Sequence, residues 1–150
     1  MTNRIWKPSV TVAAMIEREG NFLLVEEEID GRIVFNQPAG HWEPGETLME
    51  ACAREAMEET AHLFEPTEVL GLCTWRKPDS NSTYVRVAFT GKVGAQDPAR
   101  KLDKNIRRAV WLTLDEVRQL KAQHRSPLVM ACIEKYLSGV RYPLALIAHF

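Results

Sequence analysis

Between Ser9 and Ile16 the chain reads SVTVAAMI, a run rich in β-branched and apolar residues, and after Glu19, Gly20 and Asn21 a second run, FLLVEEEI, follows. Two such runs about a tight turn predict a hairpin. Asp30-Gly31 marks another turn, and the short strand RIVFNQP leads from it into GHWEPGETLMEACAREAMEET. There the period changes from that of a strand to that of a helix. Met49, Cys52, Ala53, Ala56 and Thr60 fall on one side, mostly small enough for close packing on a sheet. Thr47 with Glu50 forms a capping box, so the helix should start there and run to about Thr60. Beyond Pro66, EVLGLCTWRK and TYVRVAFTGKV predict a second strand pair around the polar loop PDSNS. RRAVWLTL is a further strand; Thr113 should cap a helix from Leu114 to about Gln123, and Ser126-Pro127 should open a last one that closes at Gly139. The longest irregular piece runs from Gly94 to Asn105. Helices mixed with hairpin-linked strands predict an α/β fold, a mixed sheet covered by helices.

The chain's 150 residues suffice for one domain, 1–150, with a core that needs neither disulfides nor a structural metal. No apolar stretch is long enough to span a bilayer, and the apolar run near the N-terminus lacks a small-residue cleavage site, which predicts a cytoplasmic protein without a membrane partner. Cys52, Cys73 and Cys132 are odd in number and form no CxxC pair, as expected of reduced thiols. A net charge of -1 supplies no global field for a nucleic acid polymer, so any attraction for phosphate must be local. The apolar ending LALIAHF suits packing on the domain or on a second copy, leaving monomer and homodimer open.

The predicted central helix is crowded with carboxylates. Glu55, Glu58 and Glu59, three and four residues apart, converge on one patch, while Glu50, Arg54 and Glu58 form a ladder on the exposed side in which Arg54 pairs Glu58. Most such ladders are only a solvated face. Three adjacent like charges with a single arginine beside them need more positive charge to stay ionised, however, and an all-oxygen donor set favours a hard divalent ion, Mg²⁺ or alternatively Mn²⁺.

Gly40, Glu46, Arg54, Glu55, Glu58 and Glu59 stand at the spacing of the Nudix box, G-x5-E-x7-R-E-U-x-E-E-x-G-U, here residues 40–62, and the chain resembles the Nudix hydrolases. Ala61 replaces the usual glycine and His62 the usual apolar residue. If the helix exits through a left-handed residue there, Ala61 costs of order 1 kcal/mol. The segments VTVAAMI, LLVEEEIDGR, NQPAGHWEPGETL, RSPLV and YLSGVRYPL extend the resemblance to NudJ-type Nudix phosphatases, from about Val10 to Leu144.

The resemblance implies the Nudix fold, an α/β/α sandwich around a mixed sheet, and Mg²⁺-dependent attack of water on a diphosphate-linked small molecule. For the NudJ type it implies nucleoside di- and triphosphatase activity releasing orthophosphate, and hydrolysis of hydroxymethylpyrimidine pyrophosphate. It assigns Glu55, Glu58 and Glu59 to the metal, with a backbone carbonyl near Gly40. Glu46 and Gly40 brace the box, and Arg54 orients an acidic partner. The general base is either Glu55 or an acid from a distant loop, for which Asp103 is the candidate. For the organic part of the substrate, Trp75, Arg76, Tyr84 and Arg86 on the strands after the box offer stacking and phosphate contacts, and Asn36 and Gln37 offer polar contacts near the phosphates. His41 and His62 are expected to be structural or exposed. The alternatives are a hydrolase of sugar nucleotides or dinucleoside polyphosphates, a noncatalytic ligand sensor on the same fold, and a module whose acidic helix binds a basic protein.

Overall fold

In strand β1 (Ser9–Met15), Val12 and Ala14 face one apolar layer and Ala13 and Met15 the other, all of them buried, as in a strand covered on both faces. The computed structural model describes residues 3–150. β1 runs parallel to β7 (Thr83–Gln96) and antiparallel to β5 (Ala39–His41). With β6 (His62–Arg76) and β9 (Tyr142–Pro143) they form a five-stranded mixed sheet in the order β5-β1-β7-β6-β9.

A second, four-stranded sheet holds β2 (Glu17–Arg18), β3 (Asn21–Ile29), β4 (Arg32–Asn36) and β8 (Ile106–Thr113), all paired antiparallel. The single sheet expected from the sequence is therefore two. The first predicted hairpin is cut short for the same reason: only Glu17–Arg18 pairs with Asn21–Phe22, while β1 crosses to the other sheet, where both its apolar faces are covered. The turn residues behave as read. Glu19-Gly20 and Asp30-Gly31 all take positive φ, the conformation a two-residue hairpin turn requires.

Helix α1 (Leu48–Thr60) packs Ala51, Cys52 and Ala56 onto Val12, Val87 and Phe89. On the opposite layer, α2 (Leu114–Gln119) and α3 (Leu128–Leu137) bring Val117, Cys132 and Ile133 against Ala13, Met15, Leu70 and Ala88. These layers are the α/β/α arrangement expected. The buried stripe of α1, however, is turned from the one predicted: Met49 and Ala53 are only partly buried, and Glu55 and Glu59 take part in the buried face.

Several boundaries move. β6 starts directly at His62 and continues through Pro66 with register shifts, and β7 runs on to Gln96, so the irregular loop shortens to 97–105. α2 stops at Gln119, followed by a 3-10 turn over Lys121–Gln123. α3 begins at Leu128, whose N–H donates to the Ser126 hydroxyl at 3.1 Å. At the C-terminus Leu144 and Ile147 pack on the α1 layer, and Leu48 N–H donates to His149 Nε2 at 3.2 Å, so part of LALIAHF lies on the domain itself. Among the described residues no helix is long and apolar enough to cross a membrane, and the three cysteines are unpaired.

Candidate active site

The acidic site is built from the turn before α1 and the solvent-side edge of that helix. The capping box forms as predicted: Glu50 N–H donates to Thr47 Oγ1 at 3.1 Å, and Thr47 N–H to Glu50 Oε1 at 3.4 Å. Glu50 is thus committed to the cap and does not join a ladder with Arg54. Arg54 takes Glu46 as its principal partner, donating from Nε to Oε2 at 3.0 Å and from Nη2 to Oε1 at 2.8 Å, the bidentate fork that suits a guanidinium. Its remaining donors reach the His41 carbonyl (3.0 Å), Glu55 Oε1 (2.9 Å) and Glu58 Oε2 (3.2 Å). Hydrogen bonding from Arg54 holds the Glu46 carboxyl below its ordinary range. Glu46 also accepts the Glu43 N–H at 2.9 Å, tying the turn to the helix.

Gly40, on β5, faces Glu55 so closely that a Cβ there would overlap the Glu55 carboxylate. The glycine is needed for space and not for an unusual backbone angle. Glu55 is buried, and desolvation raises its pKa against the opposing pull of Arg54. Glu59 is pushed up to about 9 by burial, although its Oε1 accepts the Ala39 N–H at 2.8 Å. Glu55, Glu58 and Asp103 each present a carboxylate oxygen within 4.8 Å of the others. Asp103 arrives from the loop 97–105, anchored by its own N–H donating to the Glu58 carbonyl at 3.0 Å. The close trio therefore contains Asp103 where Glu59 was expected, with Glu59 lining the same cleft beside it. Three carboxylates in this space, partly desolvated, fit a hard divalent cation by charge and by donor type.

From the acids a cleft of about 680 Å³ runs across the sheet. Trp75 and Tyr84, cross-strand partners, stack at 5.9 Å between centroids and 24° between planes, and both line it. Arg86 and Asn36 line its floor. Two expected contacts lie elsewhere. Gln37 is fully buried, donating to the Val129 carbonyl at 2.8 Å, and Arg76 projects at the β6–β7 hairpin tip, on the face opposite Trp75 as strand alternation demands.

A model of the NUDIX domain matches residues 6–132. The chain belongs to the Nudix family. It is 42% identical over 147 residues to the phosphatase NudJ of Shigella boydii, covering 97% of this chain and 94% of that one. It is 41% identical over 146 residues to the phosphatase NudJ of Escherichia coli K12, with the same coverage. A solved Nudix hydrolase from Nitrosomonas europaea superposes with a TM-score of 0.94 at 50% identity, covering 96% of this chain and 98% of that one. The protein is accordingly a Nudix phosphoanhydride hydrolase.

Within this Nudix domain the departure at Ala61 is accommodated by strain. Ala61 takes φ 58° and ψ 17°, and its N–H donates to the Met57 carbonyl at 2.9 Å, ending the helix where a glycine otherwise would. His62 is buried with its ring edge-on to Trp111 at 5.9 Å and Nδ1 3.0 Å from the Thr60 carbonyl, filling the apolar position of the box as a structural residue. His41 is exposed. Arg32, Lys77 and Arg125 also line the cleft wall, cations that residue spacing did not single out. Of these Arg125 had a signal: buried Glu27, in the EEE run of β3, needs a partner and takes Arg125 Nη1 at 2.7 Å.

Proposed function

We propose that the protein hydrolyses nucleoside di- and triphosphates with release of orthophosphate, and hydroxymethylpyrimidine pyrophosphate as a second substrate, using Mg²⁺ with Mn²⁺ as an alternative. The observation that carries the reading is the approach of Glu55, Glu58 and Asp103 to within 4.8 Å at one end of a cleft whose other reaches hold stacked aromatics and cations. The near-full-length similarity to proteins named phosphatase NudJ supports the substrate class. The three unpaired cysteines suit a reducing compartment, and we place the protein in the cytoplasm.

In this reading Glu55 and Glu58 hold the divalent ion, with Glu59 beside them and Asp103 facing the same space as the base. The bound ion would neutralise phosphate charge and make a coordinated water more acidic. Arg54 fixes the rotamers of Glu55 and Glu58, and Glu46 fixes Arg54. Asp103 is exposed, on a loop, and can take a proton from attacking water and pass it to solvent; Glu55, enclosed by Gly40 and Arg54, is less free to do so. Trp75 and Tyr84 offer a face for a base.

The test is a panel of nucleoside di- and triphosphates and hydroxymethylpyrimidine pyrophosphate, each with and without Mg²⁺, beside Glu58→Gln, with phosphorus products identified. Metal-dependent orthophosphate release that the variant loses is the expected result. Release of paired nucleoside monophosphates from dinucleotides, with nucleoside triphosphates untouched, would replace this substrate class by the alternative one.

A further inference from the structure

The floor of the cleft holds a cation without a counter-charge. Arg86 is 4% exposed, and neutral groups hold its guanidinium: Nη2 donates to Asn36 Oδ1 and Nη1 to Gln37 Oε1, both at 3.0 Å, with Cys132 Sγ 3.6 Å from Nη1. Among the described residues Nε has no hydrogen-bond partner, and no carboxylate lies within ion-pair distance of Arg86. The acid that feels its charge, Glu27, is already bonded to Arg125 at 2.7 Å. Gln37 is itself locked by the Val129 carbonyl. A buried unpaired cation is costly, and a carboxylate at 36 would remove that cost at no change of shape. Carboxamides do something different: they orient the guanidinium and leave its charge to a ligand.

Its place in the sheet says which part of a ligand. Arg86 pairs with Thr11 in β1, and Thr11 with His41 in β5, next to Gly40; two residues from Arg86 along β7 is Tyr84, stacked on Trp75. Two strand spacings set Arg86 roughly 10 Å from the strand that borders the acidic cluster. It stands between the acidic cluster and the aromatic pair.

We propose that Arg86 is a phosphate anchor whose charge Asn36 and Gln37 keep uncompensated, so that these two carboxamides set how tightly the cleft holds the phosphoryl group next to the one at the acidic cluster. This rests on the phosphoanhydride hydrolase reading above. Asn36 and Gln37 are then positioning residues, and Arg86 the contact.

The test is calorimetric binding of diimidotriphosphate, a hydrolysis-resistant inorganic triphosphate, to the full chain with Mg²⁺, alongside thermal melting. Asn36→Asp should weaken binding about tenfold or more while melting at or above the wild-type temperature, because it pairs the buried cation. Arg86→Gln should weaken binding similarly, and adding Asn36→Asp to it should change the affinity less than about twofold. Gln37→Glu provides the second charge variant should Asn36→Asp fail to fold, with the same expected loss of affinity but a lower melting temperature, because it gives up the donor to the Val129 carbonyl. Wild-type affinity in a folded charge variant overturns the proposal. So does a full Asn36→Asp effect in the Arg86→Gln background, or an Arg86→Gln defect confined to nucleoside triphosphate analogues, which would make Arg86 a reader of the base. If this binding pattern holds and no phosphoanhydride is hydrolysed, the anchor stands and the hydrolase substrate assignment falls.

Discussion

Replacing Arg54 by lysine keeps the charge and removes the fork. Arg54 makes five donor contacts, to both oxygens of Glu46, to Glu55, to Glu58 and to the His41 carbonyl, at 2.8 to 3.2 Å, with 23% of its side chain exposed. A lysine ammonium has three donors on one atom and cannot satisfy Glu46 bidentately while reaching Glu55 and Glu58. At least two contacts are lost. With about 1 kcal/mol for each, after discounting for partial exposure, Arg54→Lys should cost about 2 kcal/mol of stability, or roughly 4–8 °C in Tm for a domain of this size. The kinetic loss should be larger than that stability change implies, because freeing Glu55 and Glu58 by about 1 Å costs on the order of 10²-fold in kcat. Glu46→Gln should reproduce most of the kcat loss, since Glu46 acts through Arg54. The assay is a double-mutant cycle on kcat and Tm. Losses of the Arg54→Lys and Glu46→Gln variants that add in the double variant would refute the relay from Glu46 through Arg54 to the acids.

Other consequences follow from the same geometry. Gly40→Ala should displace the Glu55 carboxylate and lower kcat about 10²-fold while circular dichroism stays that of the wild type; a fully active Gly40→Ala enzyme would mean that Glu55 needs no fixed position. Adding Mg²⁺ at about 100 times its Kd should raise stability by about 2.7 kcal/mol, EDTA should reverse the gain, and Glu58→Gln should abolish it in a thermal melt. His62 supplies a pH signature. Burial lowers its folded-state pKa from 6.5, so its contribution to stability is complete above about 6.5 and is lost as pH falls through the folded value. Chemical denaturation at pH 8 and pH 5 should show a steeper loss for the wild type than for His62→Gln, and parallel losses would place the imidazole in water.

The box was legible because its residues are close in the chain and one helix relates them: spacing alone gave the cap at Thr47, the end at Thr60 and the convergence of Glu55 with Glu58. What spacing could not give was the rotation of α1 against the sheet, which buries Glu55 and Glu59 and leaves Ala53 partly exposed. Nor could it separate Asn36 from Gln37. Alternation along β4 and into the turn puts neighbouring side chains in different surroundings, and only the packing of α3 shows that Gln37 answers to Val129. Arg76 could not be separated from Trp75 for a related reason: Trp75 lines the cleft, and its neighbour on the strand must then face away. The division into two sheets was hidden because a buried apolar strand carries no record of its partner: β1 looks the same whether it returns along β3 or crosses to β7.

That crossing has a consequence for how the chain acquires its shape. The ladder of β1 with β7 joins Ser9–Met15 to Tyr84–Thr90, and α1, with the whole acidic box, lies inside the loop that this pairing closes. Long-range parallel pairing is entropically slow to form, and nothing local can substitute for it. During synthesis the box helix therefore leaves the ribosome well before the strand that completes its floor, and Asp103 follows later still. The box stands early in the chain, but its catalytic geometry can form only once β7 and Asp103, further along, have been made.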